Sequence, residues 1–112
     1  MTITAKSGEL SKQSIYKMTK SPTTISINKL SDGEEIEIAE WLEYDDVNSK
    51  GDNVHIFAML DTNGTSYACQ SKTFTTQAKD IIDIFGLPAR IKKLSGMTKS
   101  DREYITCDYA GE

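Results

Sequence analysis

Histidine is nearly absent. His55 is the single one among 112 residues, which excludes a multi-histidine metal site within the chain and leaves no cysteine–histidine pair with a sequence signature. Only two cysteines occur, Cys69 and Cys107. They form no C-x-x-C pair, so they are expected as reduced, buried, small apolar residues rather than a disulfide or a metal site. No apolar run approaches the roughly 18 residues that a membrane-spanning helix needs, and Lys6 is followed by no apolar stretch of signal-peptide length. A cytosolic (cytoplasmic) protein with no membrane partner is expected. Ser95-Gly-Met-Thr-Lys99 lacks the frame of a phosphate-binding loop. Asp45, Asp46 and Asp52 lack the spacing of a calcium loop. The remaining acids are too clustered to single out a hydrolytic pair. The sequence therefore predicts no enzyme, no cofactor and no metal.

Charge is scarce in neither sign, but it is unevenly placed. The net charge of -4 and a pI near 5.0 argue against a polyanionic partner if the chain is averaged. Residues 1–30 nevertheless carry five Lys and one Glu, 31–61 carry ten acids and one Lys, and 72–104 carry seven bases and four acids. One basic surface can then attract phosphate while another repels it, because local potential steers encounter.

Residues 1–22 are rich in Ser, Thr and Lys and read as a mobile or loosely docked N-terminal arm that can hold a short helix near Leu10–Lys17. Residues 23–112 read as one domain. Thr24–Leu30 alternates as a half-buried strand. The main strand-like runs follow: 35–45, 54–61 and 65–71, then 89–94 and 103–109. Lys50-Gly-Asp52 and Asn63-Gly64 mark hairpin turns. Between the third and fourth runs, Ala78, Ile81, Ile82 and Phe85 recur at helical spacing. This predicts a helix over 76–85, capped by Thr75 or Thr76 and stopped by Gly86-Leu-Pro88.

Five strands with one α-helix between strands 3 and 4 is the order of an OB-like barrel, so the expected fold class is all-β and OB-like. Such barrels often take single-stranded nucleic acid or oligosaccharide across strands two and three. In the run 54–61, Val54, Ile56, Ala58 and Leu60 suit the core, which directs His55, Phe57 and Met59 to the other face. Phe57 beside His55, with Trp41 or Tyr67 nearby, would make a platform for stacking bases. The competing reading puts Phe57 and Met59 under the helix, the arm or a second subunit. Candidate cations are Lys50, Lys72, Arg90, Lys92, Lys93, Lys99 and Arg102, with Tyr104 an aromatic at the rim. Trp41, between Glu40 and Glu43, suits packing or an interface better than a phosphate contact.

Ile25-Ser-Ile-Asn-Lys-Leu-Ser-Asp-Gly33, Val54-His-Ile-Phe-Ala-Met-Leu-Asp-Thr-Asn-Gly64 and Thr65-Ser-Tyr-Ala-Cys-Gln-Ser-Lys-Thr-Phe74 carry a resemblance. In the order, lengths and turn positions of its elements, the chain resembles the small OB-fold single-stranded-DNA-binding proteins of tailed bacteriophages, over about residues 24–109. The resemblance implies sequence-nonspecific coating of single strands during DNA replication. It places DNA contacts on Phe57, His55, Tyr67, Lys50, Lys72 and Lys99. A homodimer and replication proteins are compatible partners, although Asp108–Glu112 is too short for the acidic recruiting tail many such proteins carry. The rival reading is a protein-interaction module, a viral inhibitor or assembly subunit, that presents the acidic 31–61 hairpin to a basic groove.

Overall fold

One long strand, Glu35–Val47, organises the molecule, because three other strands pair with it. The computed structural model describes residues 1–111. In chain order the elements are β1 (Thr2–Lys6), α1 (Lys12–Thr19), β2 (Ile25–Ser26), β3 (Glu35–Val47), β4 (Asn53–Asp61), β5 (Ser66–Cys69), α2 (Lys72–Phe85), β6 (Ala89–Met97) and β7 (Glu103–Tyr109). A single 3-10 turn, Ile27–Lys29, follows β2, where an extended run through Leu30 was expected. The sheet runs β2-β5-β4-β3-β6-β7, with β1 added to β3. All pairs are antiparallel except β2 with β5. The sheet curls into a half-barrel, broadly consistent with the expected OB-like, all-β class. Among the described residues there are seven strands where five were expected for the barrel, and beside α2 the short helix read near Leu10–Lys17 is present as α1.

The curl has a local cause in β3. Glu35–Ile38 pairs with β6 while Leu42–Asp45 pairs with β1, and the register against β4 shifts between Ile38 and Glu40. An extra residue in one strand bends it and moves the following side chains to the opposite face. Ile36 and Ile38 accordingly sit in the main core, whereas Leu42 and Tyr44, of the same parity, sit in a second one. Trp41 takes the inner side instead and packs against the main core.

The main core lies between the concave side of the sheet and α2. From the helix come Phe74, Ala78, Ile81 and Ile82, one apolar stripe at helical spacing, and from the strands Phe57, Met59, Ile91 and Cys107. Burying each large apolar side chain contributes about 1.5–3 kcal/mol. α2 begins four residues before the expected start. Ser71, not Thr75 or Thr76, caps it, accepting a hydrogen bond from Phe74 N at 3.1 Å. The end agrees with the sequence: Gly86 at φ 79° allows its N–H to reach Ile82 O, a left-handed residue that favours glycine.

The second core lies on the other side of β3 and β4. Leu42, Tyr44, Ala58 and Leu60 meet Met18 of α1 there, with Ile3, Leu10 and Ile15 partly buried around them. The segment read as a mobile or loosely docked arm thus holds a paired strand and a helix seated on the sheet. Polar contacts fix it further: Lys20 bridges to Asp46 at 3.1 Å and Ser14 Oγ donates to Glu40 at 2.7 Å.

Candidate nucleic-acid interface

β4 pairs with β3 along one edge and β5 along the other, and its two faces contribute Phe57 and Met59 to the main core and Ala58 and Leu60 to the second. Phe57 shows 0% exposure within the main core, its ring 5.8 Å from that of Trp41 at a tilt of 44°. The outward platform expected at Phe57 is therefore corrected: the ring packs under α2 with Met59 and cannot stack on a base. The reversal arises because β4 alternates without interruption and carries apolar residues on both sides: Phe57 and Met59 share the side of Ile38 and face α2, whereas Ala58 and Leu60 face α1.

His55 lies beyond the end of this core, about half exposed. Its Nδ1 meets Asp45 Oδ1 at 2.6 Å and its Nε2 meets Glu43 Oε2 at 2.6 Å. These carboxylates, Asp45 first, hold the imidazole above its ordinary value. Glu43 is buried and also receives the Lys79 ammonium, which lies 5.3 Å from the Trp41 ring centroid. Burial pushes the Glu43 carboxyl up, but the hydrogen bonds from Lys79 and His55 more than offset it and hold the carboxyl below the usual range. His55 is thus committed to two acids rather than to an open aromatic surface. Protonated His55 stabilises the fold fully below its unfolded value near 6.5, and that contribution disappears as pH rises through its raised native value. We expect the difference in thermal midpoint between the unaltered chain and His55→Gln to shrink as pH rises from 5.5 to 9. A difference that grows over that range contradicts the ion-paired histidine.

A larger opening lies at the end of β5, where several hollows join. Three hollows meet at Gln70. One is lined by Thr24, Asn28, Tyr44, Ile56, Ala68 and Gln70 on the outer side of β4 and β5. The next holds Asn28, Gln70, Ser71, Lys93, Glu103, Tyr104 and Ile105, between the ends of β5 and β7. In the third, Gln70 and Lys72 meet Lys79, Thr75, Thr76 and His55, with Glu43, Asp80 and Asp83 also on its wall. Ser71 bridges the gap between β5 and β7, its Oγ donating to Ile105 O at 3.2 Å. Among the described residues no strand pair closes the sheet there.

The residues singled out from the sequence are only partly gathered here. Lys72 and His55 share one hollow and Tyr104 borders its neighbour. Tyr67 is half-buried against the main core, opposite Met59 on β4. Lys50 is exposed in the β3–β4 turn, and Lys99 and Arg102 are exposed in the β6–β7 turn. Lys92 is half-buried on β6, opposite Glu35 and Asp108. Its neighbour Lys93, another of the candidate cations, is buried and bridges to Asp32 at 3.2 Å while donating to Leu30 O. Arg90 faces Glu35 and Glu37. By contrast Lys50, Lys72, Lys92, Lys99 and Arg102 make no ion pair among the described residues. Asn28 and Gln70, which join the hollows, carried no sequence signal: an Asn before a turn and a Gln at a strand end are ordinary solvated residues.

Other chemistry has little support. No grouping of three or more His, Cys, Asp or Glu among the described residues could hold a metal ion, and no helix is long and apolar enough to cross a membrane. Burial pushes the Cys107 thiol up to about 12, and Cys69 is also raised and buried, so neither is a nucleophile near neutral pH. No curated protein and no solved structure matches the chain. A family model does, over residues 2–109, nearly the whole length and including β1 and α1; its description is Phage Single-stranded DNA-binding protein. On that match, from the first paired strand to the end of β7, the chain belongs to the phage single-stranded DNA-binding protein family.

Proposed function

We propose that this protein coats single-stranded DNA without sequence preference during phage replication in the host cytoplasm, and that it catalyses nothing. The family membership carries this reading; the geometry suggests where the strand runs. β3–β7 with α2 between the third and fourth of them supply an OB-type barrel left open between β5 and β7, with β1 and α1 as an addition to its outer side. The strand would cross that open end, over Asn28 and Gln70 towards Tyr104, with Lys72, Lys99 and Arg102 neutralising phosphates and Tyr104 stacking on a base. Lys50 lies further along the rim. The acidic-module alternative is weakened by ion pairs that occupy acids of the hairpin: Lys20 of the N-terminal segment and the N-terminal ammonium face Asp46, while Lys79 of α2 and His55 face Glu43.

Fluorescence anisotropy of labelled oligo-dT tests the proposal across a salt series. The logarithm of affinity should fall linearly with that of salt concentration, at about 0.7 per phosphate neutralised on a single strand. Lys72→Ala, Lys99→Ala and Arg102→Ala should each flatten that slope by about the same 0.7. A mixed-sequence oligonucleotide should bind comparably. Absent binding, or binding indifferent to salt, removes the proposal. Slopes unchanged by all three substitutions would move the path away from this end of the barrel.

A further inference from the structure

On the outward side of the β6–β7 hairpin, residues pair directly as Lys92 with Asp108, Leu94 with Thr106 and Gly96 with Tyr104. Side chains directly opposite across antiparallel strands lie close together on one face. At the last pair one of the two is glycine, and the tyrosine fills its place. A β-carbon built on Gly96 would lie 2.7 Å from both Cζ and Oη of Tyr104 and 3.0 Å from Cε1. The distal end of the ring therefore occupies the space that any other residue's side chain would need. Gly96 is not held in a left-handed conformation, so its backbone gives no other reason for glycine. A glycine inside a strand often marks such a close approach. The ring is laid across the partner strand, yet 40% of Tyr104 remains exposed. Arg102, an unpaired cation two residues earlier, is exposed beside it.

We propose that Gly96 is the positioning residue that turns Tyr104 into a fixed stacking platform for a base of single-stranded DNA. This rests on the DNA-binding reading above. A ring already laid down loses less conformational freedom when a base settles on it than one free to swing about its first two torsions, so preorganisation favours binding. A methyl group at residue 96 must displace the ring. The displaced atoms are the far end of a flexible side chain rather than backbone, so the hairpin itself has no cause to break.

The experiment is a double-mutant cycle on oligo-dT affinity with G96A, Y104A and the pair, alongside thermal midpoints. Y104A should weaken binding about tenfold or more, the loss of one stacked base, and G96A should weaken it by about threefold to tenfold, the cost of immobilising one side chain, with a near-normal midpoint. In the Y104A background G96A should cost nothing further. Equal affinity for G96A and the unaltered chain, or an undiminished effect of G96A without the tyrosine, overturns the inference while leaving DNA binding intact. Failure of the unaltered chain to bind overturns both. Should G96A not fold, Tyr104→Leu and NMR decide. The Gly96 α-protons should show a ring-current shift in the unaltered chain that Tyr104→Leu abolishes together with the stacking affinity. Unshifted protons, or a Leu variant that binds normally, count against it.

Discussion

Phe57→Ala will destabilise the domain by about 3–5 kcal/mol, the range for truncating a fully enclosed aromatic. The ring lies at 0% exposure between Trp41, Met59 and the apolar stripe of α2. Its removal deletes transfer free energy and leaves a cavity that a sheet and helix pinned together by Ile81, Ile82 and Ile91 cannot fully collapse. Urea unfolding followed by far-UV circular dichroism checks this. The midpoint should fall sharply, and oligo-dT affinity measured while the variant is still folded should change little. The reverse pattern, normal stability with weakened binding, would place the ring outside the core and restore the stacking role that the sequence suggested for it.

Met18→Ala should cost about 2–5 kcal/mol, a large effect for a residue in a segment whose composition suggests mobility. Met18 is 1% exposed and meets Leu42, Tyr44, Ala58 and Leu60. A mobile arm would give a change within about 0.5 kcal/mol, as surface substitutions usually do. Hydrogen exchange supplies the second measurement. Amides of β1 and α1 in the unaltered chain should be protected, and the variant should lose protection there before β6 and β7 do. The same residues cover the outer side of β4 and β5, the face that open barrels commonly offer to single strands. The docked segment therefore narrows the available surface to the end near Gln70.

Several features were legible in the chain because they depend on neighbours in sequence. Ala78, Ile81 and Ile82 announce the buried stripe of α2, and Asn63-Gly64 announces a turn, with Gly64 at φ 87°. The spacing of apolar runs gives the β3–β4 and β6–β7 hairpins, and buried reduced cysteines follow from their positions within strands. The resemblance carried by residues 25–74 pointed to the family that the match over residues 2–109 establishes. The start of α2 was misplaced because Ser71, Thr75 and Thr76 are all acceptable caps, and the choice depends on Ser71 also reaching Ile105 O across the gap. The seat of α1 was invisible for a related reason. Met18, Ile15 and Leu10 are too few to declare a core until the outer side of β3 and β4 is present to receive them.

The sequence by itself determined the central hairpins, the apolar stripe of α2, the uneven charge and the family, since helical stripes, turn residues and the order of strands are properties of the chain read in one dimension. Only the tertiary structure decided which side of β4 is inside. Strict alternation assigns a single face to Ile36, Ile38, Leu42 and Tyr44, but the register shift between Ile38 and Glu40 divides them between two cores. A one-residue shift exchanges the faces of the β3 residues that follow it; on β4, whose alternation is unbroken and apolar on both sides, the seat of α2 decides, and it makes Phe57 a buried support for the helix rather than a surface for bases.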